Sequence, residues 1–360
     1  MHEPIDLHAA QAALGAQFAP DGIPLHYGNA AGEYQAAHSG SVLMERSHEG
    51  RLLLSGRDRL ALVQRMSTND VATLTENHGC PTIFTSPVAR ILDRVVVFAH
   101  KDETRMLTEP GRGAAVSAYI GRNIFFNDDV KLADLSGSTR QFNLHGVTAE
   151  NIIVDAFPGL QLLALFACAQ VEFDGVQVWI ARLKPLIGSH YVVHVPNDHA
   201  DALWTHLLSV GNAHGLQPAG SLTYNVLRIE AGRPGVGREL SGDYLPLEVG
   251  LWDEVSFTKG CYTGQEIIAR MESRRRLAKT IVAIKLSAMV EAPAAVYADG
   301  HEIGRLTSSV STPDGTIHAI GVVKLSTAHE GTPITVGEHG ITATIGGRLG
   351  VLPEFTEAEE

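Results

Sequence analysis

Short strand-like runs separated by turn dipeptides fill the chain from about residue 279 onward. The runs TIVAIKL, HEIGRLTSSV, IHAIGVVKL and ITVGEHGITATI are rich in β-branched residues, and Asp299-Gly300 and Asp314-Gly315 are dipeptides that favour tight hairpins. Strands that are joined by such turns pair with their neighbours in antiparallel order. The pattern therefore restricts this part of the chain to a small antiparallel barrel or sandwich of about 75 residues.

The preceding part of the chain mixes helical and strand-like segments without a regular βαβ alternation. RLLL at 51–54 and ILDRVVVFA at 91–99 predict strands. HADALWTHLLSVG at 199–211 predicts an amphipathic helix that ends at Gly211 as its C-cap. Such a mixture favours an α+β fold over a doubly wound sheet, and the change of pattern places a domain boundary at about residue 275.

Composition and charge exclude several classes of function. The chain has 360 residues, 44% of them apolar, and a formal net charge of −12. This balance argues against nucleic acid as a partner, although the cluster at 274–276 (RRR) is either a solvated face or a dock for a polyanionic tail. No apolar run is long enough to span a membrane, so no membrane partner is predicted. The N-terminus has no pattern of a secretory signal, and we expect a cytoplasmic protein.

The cysteines and histidines do not predict a metal site. Three cysteines cannot form a disulfide framework and show no CxxC spacing. Cys168 lies in an apolar run and is expected in the core, and Cys80 follows Gly79 in ENHGCPT, which is predicted to be a turn. His190 and His194 lie on one face of a predicted strand, where two histidines without a third ligand are interpreted as surface residues.

One glycine-bracketed cysteine stands apart from these. The chain contains no phosphate-binding GxxxxGK[ST] motif and no GxSxG nucleophile motif, and GRPGVG at 232–237 is interpreted as a loop. The remaining motif is KGCYTGQE, with Lys259, Gly260, Cys261, Tyr262, Gly264, Gln265 and Glu266 as its candidate functional residues. The thiol of Cys261 could be a nucleophile, a soft-metal ligand, a redox group or a buried structural residue.

The surrounding sequence resembles a known family. YLPLEVGLWDEVSFTKGCYTGQEIIAR at 244–270 is similar to the hallmark region of the YgfZ-type folate-binding proteins, relatives of the glycine-cleavage T-protein (aminomethyltransferase) that act in iron–sulfur cluster maintenance. PLHYG, EYQAAHSG, SHEGRLLLSGRD and STNDVATL resemble the N-terminal half of the T-protein superfamily, and LRIEAG and EIGRLTSSV resemble later segments. Together these segments extend over nearly the whole chain.

The resemblance implies a T-protein-like cloverleaf with two intertwined α+β subdomains in residues 1–275 and an antiparallel β-barrel in residues 276–355. It implies tetrahydrofolate, or a one-carbon-substituted folate, as the cofactor. ARILDRVVV matches the family segment that ends in two aspartates, so Asp93 matches the catalytic acid and Arg94 replaces the second aspartate. A carboxylate at that position can take up a proton at a folate amine during one-carbon transfer.

The same resemblance assigns Tyr191, Glu109 and Arg228 as cofactor-binding residues, with two departures from the family pattern. Val192 follows Tyr191 where the family has a glutamate that hydrogen-bonds the pteridine, and Glu109 stands at the position of a family asparagine. A carboxylate at Glu109 could accept from the ring N–H groups in place of the missing glutamate. Tyr224 replaces a family arginine, which weakens the case for ordinary T-protein activity.

Three functions are consistent with the sequence. The first is a folate-dependent accessory protein that helps to build or repair iron–sulfur client proteins through Cys261, whose thiol pKa Lys259 could lower. A lone thiolate cannot hold a cluster, which normally takes four ligands, so a transient contact is implied. The second is a folate-dependent aminomethyltransferase or demethylase with Asp93 as the acid. The third is a non-catalytic module for protein interaction.

Overall fold

The structure, a computed structural model, describes residues 6–274 and 276–351. Its α-helices are α1 Leu7–Ala13, α2 Ala30–Ser39, α3 Arg59–Met66, α4 Gly113–Arg122, α5 Ala149–Ala156, α6 Ala200–Gly211, α7 Ser221–Glu230 and α8 Gln265–Ser273. Its strands are β1 Gln17–Phe18, β2 Pro24–His26, β3 Ser41–Glu45, β4 Glu49–Ser55, β5 His78–Thr85, β6 Ile91–Ala99, β7 Glu103–Pro110, β8 Lys131–Asp134, β9 Thr139–Gly146, β10 Cys168–Phe173, β11 Val176–Leu183, β12 Ser189–Pro196, β13 Leu216–Pro218, β14 Lys279–Leu286, β15 Ala294–Ala298, β16 His301–Ser311, β17 Ile317–Lys324, β18 Pro333–Val336 and β19 Ile341–Arg348.

These elements divide into two compact units that are each discontinuous in sequence. The first unit contains the residues up to Leu62, Thr73–Cys80 and Val96–Leu227. The second contains Val63–Ala72, Pro81–Val95 and the residues from Arg228 onward. None of the helices in the described residues has the length and apolar character that crossing a membrane requires.

A six-stranded sheet with the order β10-β11-β12-β9-β3-β13 forms the centre of the first unit. One face of this sheet packs against α5 and α6 in a hydrophobic core that includes Phe142, Tyr191, Ile152, Trp204 and Leu207. Side chains alternate between the two faces of a strand, so Tyr191 lies in this core and its neighbour Val192 lies on the other face. The amphipathic helix that was predicted from 199–211 is confirmed as α6, and it buries this face of the sheet.

The opposite face of the same sheet is half apolar and half polar. Trp179, Ala181 and Val192 pack in a cluster with Phe98 and Leu107, which belong to β6 and β7. These two strands are part of a five-stranded sheet with the order β5-β6-β7-β4-β8. Strands β5 and β6 have residues in both units. The strand that was predicted from ILDRVVVFA is confirmed as β6, with the same first and last residues.

A closed six-stranded barrel, β14-β17-β16-β15-β18-β19, dominates the second unit, and all of its pairings are antiparallel. The barrel that was predicted from the strand-and-turn pattern is therefore confirmed. Asp299 and Gly300 both have positive φ, 50° and 76°, in the two-residue turn between β15 and β16. A type I′ hairpin turn requires this conformation at both positions.

Three local predictions are wrong. His190 and His194 are not surface residues, because they are buried to 5% and 4% exposure, His190 against the ring of His145 and His194 against that of Trp179. Cys80 lies inside β5 and not in a turn. Gly211 is not a left-handed C-cap but has φ −70° in the last position of α6, and a 3-10 turn follows it before Gly215 takes up the left-handed conformation.

Candidate functional site

Residues 256–264, here called the thiol loop, contain the KGCYTG part of the motif and lead into α8. Cys261 is exposed at the surface of this loop, so the interpretation of a buried structural cysteine is wrong. Gly260 is exposed as well, and a Cβ at this position would meet no atom within 4 Å. The loop therefore presents its thiol on a backbone segment that is accessible from solvent.

Lys259 anchors the thiol loop through three hydrogen bonds to backbone carbonyls. Its Nζ donates to the backbone carbonyls of Gln64, Ser67 and Asn69 at 2.7, 2.8 and 2.6 Å, and the residue is 8% exposed. An ammonium group has three N–H donors, which equals the number of these carbonyls. Lys259 thus has a structural role that the motif did not predict, because it ties the loop to the last turn of α3 and to the segment that follows it.

Two further contacts fix the C-terminal part of the thiol loop. Thr85 donates from its hydroxyl to the carbonyl of Thr263 at 2.5 Å. Gly264 has φ +84°, and a Cβ there would lie 2.7 Å from the carbonyl oxygen of Ser86. Only glycine fits a position that combines left-handed backbone with this close approach. Tyr262 packs in a hydrophobic cluster with Trp252, and burial raises the pKa of its phenol to about 12.

The last residues of the motif begin α8. Gln265 is the first residue of this helix, and its Nε2 donates back to the carbonyl of Lys259 at 3.5 Å. Glu266 is exposed and forms an i,i+4 ion pair with Arg270 at 2.9 Å. The seven motif residues therefore fold as one local unit, in which Lys259 and Tyr262 are buried and Cys261 is exposed.

Asp93 and Arg94 occupy successive positions of β6 in the second unit. Asp93 is 8% exposed and Arg94 is 6% exposed. The guanidinium of Arg94 forms a bidentate pair with Glu254, with Nε–Oε2 and Nη2–Oε1 distances of 2.7 and 2.6 Å. Successive residues of a strand point to opposite faces, so Asp93 and Arg94 do not share a face. The arginine at the place of the second family aspartate is hence neutralised by a buried glutamate that is 160 positions away in sequence.

In the first unit, Arg46 is the centre of a buried charged cluster. Its Nε and Nη2 contact Oε1 of Glu49 at 2.7 and 2.6 Å, and its guanidinium lies 3.7 Å from the centroid of the Tyr224 ring. Burial alone would lower the pKa of Arg46, but the charge of Glu49, then the interaction with Tyr224 and last the charge of Glu109 more than offset it and raise this pKa. Glu109, at the end of β7, is partly buried. We include it in this cluster because its charge acts on Arg46.

Four amide and imidazole side chains, Gln141, Asn143, His190 and His194, extend this cluster across β9 and β12, and we call them the polar ladder. A carboxylate can only accept, so Gln141 donates from Nε2 to Glu49 and, at 3.1 Å, to Oδ1 of Asn143. Oε1 of Gln141 then accepts from Nε2–H of His194 at 2.9 Å. Burial holds the pKa of His194 well below its ordinary value, which keeps this imidazole neutral.

The hydrogen bond from Asn143 determines which ring nitrogen of His190 carries the proton. Because Oδ1 of Asn143 accepts from Gln141, its Nδ2 donates to Nε2 of His190 at 3.1 Å. His190 therefore carries its proton on Nδ1, which lies 3.4 Å from the carbonyl of Lys184. Donation runs from His194 to Gln141 and divides there: one branch ends on the carboxylate of Glu49, and the other passes through Asn143 and His190 to the carbonyl of Lys184. The ladder supplies a pre-oriented polar wall beside the charge of Glu49 on one face of the six-stranded sheet.

Two of the predicted cofactor residues, Tyr191 and Arg228, have buried side chains with contacts inside the protein. Tyr191 is fully buried in the core on the face of the sheet opposite to Val192, so it is a core residue. Arg228 is 9% exposed, and its guanidinium contacts Glu239 at 3.4 Å and the hydroxyl of Ser308 at 3.1 Å. Its guanidinium also lies 2.7 Å from the place that a Cβ at Gly235 would take, which explains the glycine in that loop.

Comparisons with known proteins agree with this architecture. Residues 5–259 match the family model described as the GCVT N-terminal domain. A chloroplastic protein of Arabidopsis thaliana that is named only as a transferase is 30% identical over 90% of this chain and 74% of its own length. An aminomethyltransferase from Chlorobaculum tepidum is 27% identical over 92% of this chain and 93% of its own length.

A solved structure extends the likeness to the fold. The glycine cleavage system aminomethyltransferase T from Bartonella henselae superposes with a TM-score of 0.84 over 96% of this chain and 97% of that chain. The two sequences are 21% identical, so this match concerns the fold alone. It confirms the α+β T-protein fold that was expected from the sequence.

Proposed function

Because this chain belongs to the family of GCVT N-terminal domains, we propose that it is a tetrahydrofolate-binding accessory protein for iron–sulfur cluster assembly or repair. The motif KGCYTGQE resembles that of the YgfZ-type proteins and supports this branch of the family. We further propose that residues 1–275 form the folate-binding region and residues 276–355 the barrel domain. The barrel strands between Lys279 and Arg348 support that division. The proposed compartment is the cytoplasm.

The observation that carries this proposal is the exposed thiol of Cys261 on an anchored loop. Lys259, Thr85 and Gly264 hold the backbone on both sides of it, while the thiol itself is left at the surface. A fixed loop with an exposed soft ligand fits a side chain that contacts iron, sulfide or a client thiol during transfer. The iron–sulfur cluster is then a transferred cargo, and the thiolate of Cys261 is one of its ligands only during the transfer.

The residues of the first unit fit a folate heterocycle. Folate presents N–H donors at its pteridine edge, and the charged cluster offers Glu109 as a partly buried acceptor beside Arg46. Val192 is in an apolar cluster and offers no hydrogen bond. We therefore propose Glu109 as the residue that binds the pteridine edge, with the polar ladder holding Glu49 and Arg46 in place. Tyr191 is not included, because it is a core residue.

We also propose Asp93, on β6, as the carboxylate that acts at the folate amine. Bound folate supplies a nucleophilic amine that accepts a one-carbon unit. A carboxylate that is 8% exposed can hold or remove a proton at such an amine, because its charge is poorly screened there. Arg94 cannot share this role, since Glu254 binds its guanidinium.

Replacement of Cys261 by serine tests the accessory function. In cells that depend on this protein, we expect Cys261→Ser to reduce the activity of iron–sulfur enzymes to the level of cells without it, since a hydroxyl is a poor ligand for iron in clusters. The fold should be unchanged, because the side chain is exposed. Cys80→Ser, which replaces a partly buried cysteine in β5, is the control. Full iron–sulfur enzyme activity in the Cys261→Ser cells would refute the role of the thiol.

The alternative function, a folate-dependent aminomethyltransferase, is favoured by Asp93 and by the names of the relatives. Under both functions we expect Asp93→Asn to weaken tetrahydrofolate binding about tenfold or more, the loss of one hydrogen bond to a charged group. Calorimetric titration measures this, with the exposed Asp102→Asn as control. Equal affinities of Asp93→Asn and the unaltered protein would remove Asp93 from the site.

Release of a one-carbon unit from an amine, lost in Asp93→Asn but retained in Cys261→Ser, would favour the transferase.

A further inference from the structure

The segment that contains the thiol loop and α8 differs in charge from the rest of the chain. Residues 255–279 contain six Lys or Arg and two Asp or Glu, a net charge of +4. The whole chain carries −12, so the other 335 residues carry −16. A compact basic segment in an acidic protein does not improve solubility, and such an asymmetry is typical of a surface that attracts a partner of the opposite sign.

In the part of this segment that the structure describes, three cations are exposed, and so are both anions, Glu266 and Glu272, whereas Lys259 is buried. Arg270, Arg274 and Arg276 are exposed, at the middle and the C-terminal end of α8. Arg270 is paired with Glu266. Among the ion pairs of residues 6–274 and 276–351, none involves the guanidinium of Arg274 or Arg276. The guanidinium groups of Arg274 and Arg276 are therefore available to an acidic partner, and Arg270 can exchange Glu266 for such a partner because exposed ion pairs are weak.

Two exposed apolar side chains belong to segments that pack with α8, because Ala89 and Trp252 share a hydrophobic cluster with Ile268 of that helix. Phe257 in the thiol loop is 41% exposed and its ring lies 5.7 Å from that of Trp252. Val88 is 59% exposed in the turn between β5 and β6. The same turn contacts the thiol loop, because the carbonyl oxygen of Ser86 limits the residue at 264 to glycine. An exposed aromatic and an exposed aliphatic side chain on segments that pack with an arginine-bearing helix have the composition of a protein-binding surface.

We propose that this surface, formed by Val88, Phe257, Arg270, Arg274 and the exposed Cys261, docks an acidic segment of a partner protein. Carboxylates of the segment pair with the arginines, and its apolar side chains pack on Phe257 and Val88. Opposite charge increases the rate of encounter, and the apolar contacts slow dissociation. This inference deepens the proposed function by defining the kind of client that Cys261 meets, but its test involves neither folate nor iron.

Cys261 can report on the docking by thiol–disulfide exchange. The probe is a glutamate-rich peptide with one cysteine, carried as its mixed disulfide with thionitrobenzoate, and a lysine-rich peptide of the same length is its counterpart. The Cys261 thiolate attacks the peptide sulfur, a protein–peptide disulfide forms, and coloured thionitrobenzoate leaves with the electron pair of the broken bond. The protein is full length and carries Cys80→Ser, while Cys168 is 4% exposed. Alkylation by neutral iodoacetamide gives the intrinsic reactivity of Cys261 for normalisation.

We expect the acidic peptide to react about tenfold faster than the basic one at low salt, and this ratio to fall as salt is added. Arg270→Glu/Arg274→Glu should bring the ratio to about one or below with an unchanged circular dichroism spectrum, and Arg270→Lys/Arg274→Lys should preserve it. Lys285→Glu is the control. Lys285 lies on β14, about 20 Å along the strand from Lys279, the last residue of the basic segment. A ratio near one in the unaltered protein, or one unaffected by Arg270→Glu/Arg274→Glu, would overturn the proposal. The proposed function is tested separately: if either of these ratios were found but Cys261→Ser still reduced iron–sulfur enzyme activity, the docking proposal would fail and the proposed function would stand.

Discussion

Replacement of Glu254 by alanine is expected to lower the free energy of unfolding by about 3–5 kcal/mol, because the charge of Arg94 would lose its carboxylate partner inside the protein. Arg94 is 6% exposed and forms its bidentate pair with Glu254 at 2.6–2.9 Å. With a denaturant slope of roughly 2–3 kcal/mol per molar in urea, the unfolding midpoint should fall by roughly 1–2.5 M.

Two further variants distinguish the cause of this loss. Glu266→Ala removes the carboxylate of an exposed ion pair, to Arg270, and should cost no more than about 0.5 kcal/mol. The double variant Arg94→Met/Glu254→Leu removes both buried charges and should recover most of the stability. A Glu254→Ala midpoint within error of the Glu266→Ala midpoint would show that the buried pair contributes nothing.

The elements that the sequence predicted are those with a local signal. The limits of β6 followed from nine residues rich in valine, and the hairpin turn at Asp299-Gly300 followed from a dipeptide that accepts positive φ. The buried residues of α6 followed from the spacing of its leucines. In each case the residues that determine the structure are neighbours in sequence, so the pattern contains the information.

The contacts that shape the candidate site are not local. Glu254 lies 160 positions from Arg94, and Lys259 lies 190 or more from the carbonyls that it binds. Gln141 and Asn143 alternate with apolar residues in RQFNLHG, a pattern that also fits a strand with one solvated face. Periodicity shows which residues share a face, but it does not show what covers that face. The resemblance to a family supplied Asp93 and Cys261, while it placed Tyr191 where the sheet alternation puts a core residue.

Acid is expected to destabilise the first unit through its buried neutral histidines. Burial, together with Arg51 and Arg105, holds the pKa of His194 well below 6.5, and burial together with Arg46 and Arg51 lowers that of His48 to about 3. Above pH 6.5 neither the native nor the unfolded state protonates these imidazoles, so they contribute no pH dependence. Below pH 6.5 the unfolded state gains the proton and the native state does not. Each histidine then removes about 1.4 kcal/mol per pH unit from the stability as the pH falls.

His194→Gln isolates one of these protons. A glutamine at this position can still donate to Oε1 of Gln141, so the hydrogen bond of the polar ladder is retained without a titrating ring. Urea unfolding between pH 7.5 and 4.5 should show a slope lower by about 1.4 kcal/mol per pH unit in His194→Gln. The exposed His329→Gln is the control for the loss of one imidazole. Glu45, whose pKa burial raises, takes up a proton more readily in the native state and opposes the trend, but it does so equally in both variants. Identical slopes in His194→Gln and the unaltered protein would mean that the native state accommodates a charged His194, and the ladder would then not be the neutral, directional network that its hydrogen bonds define.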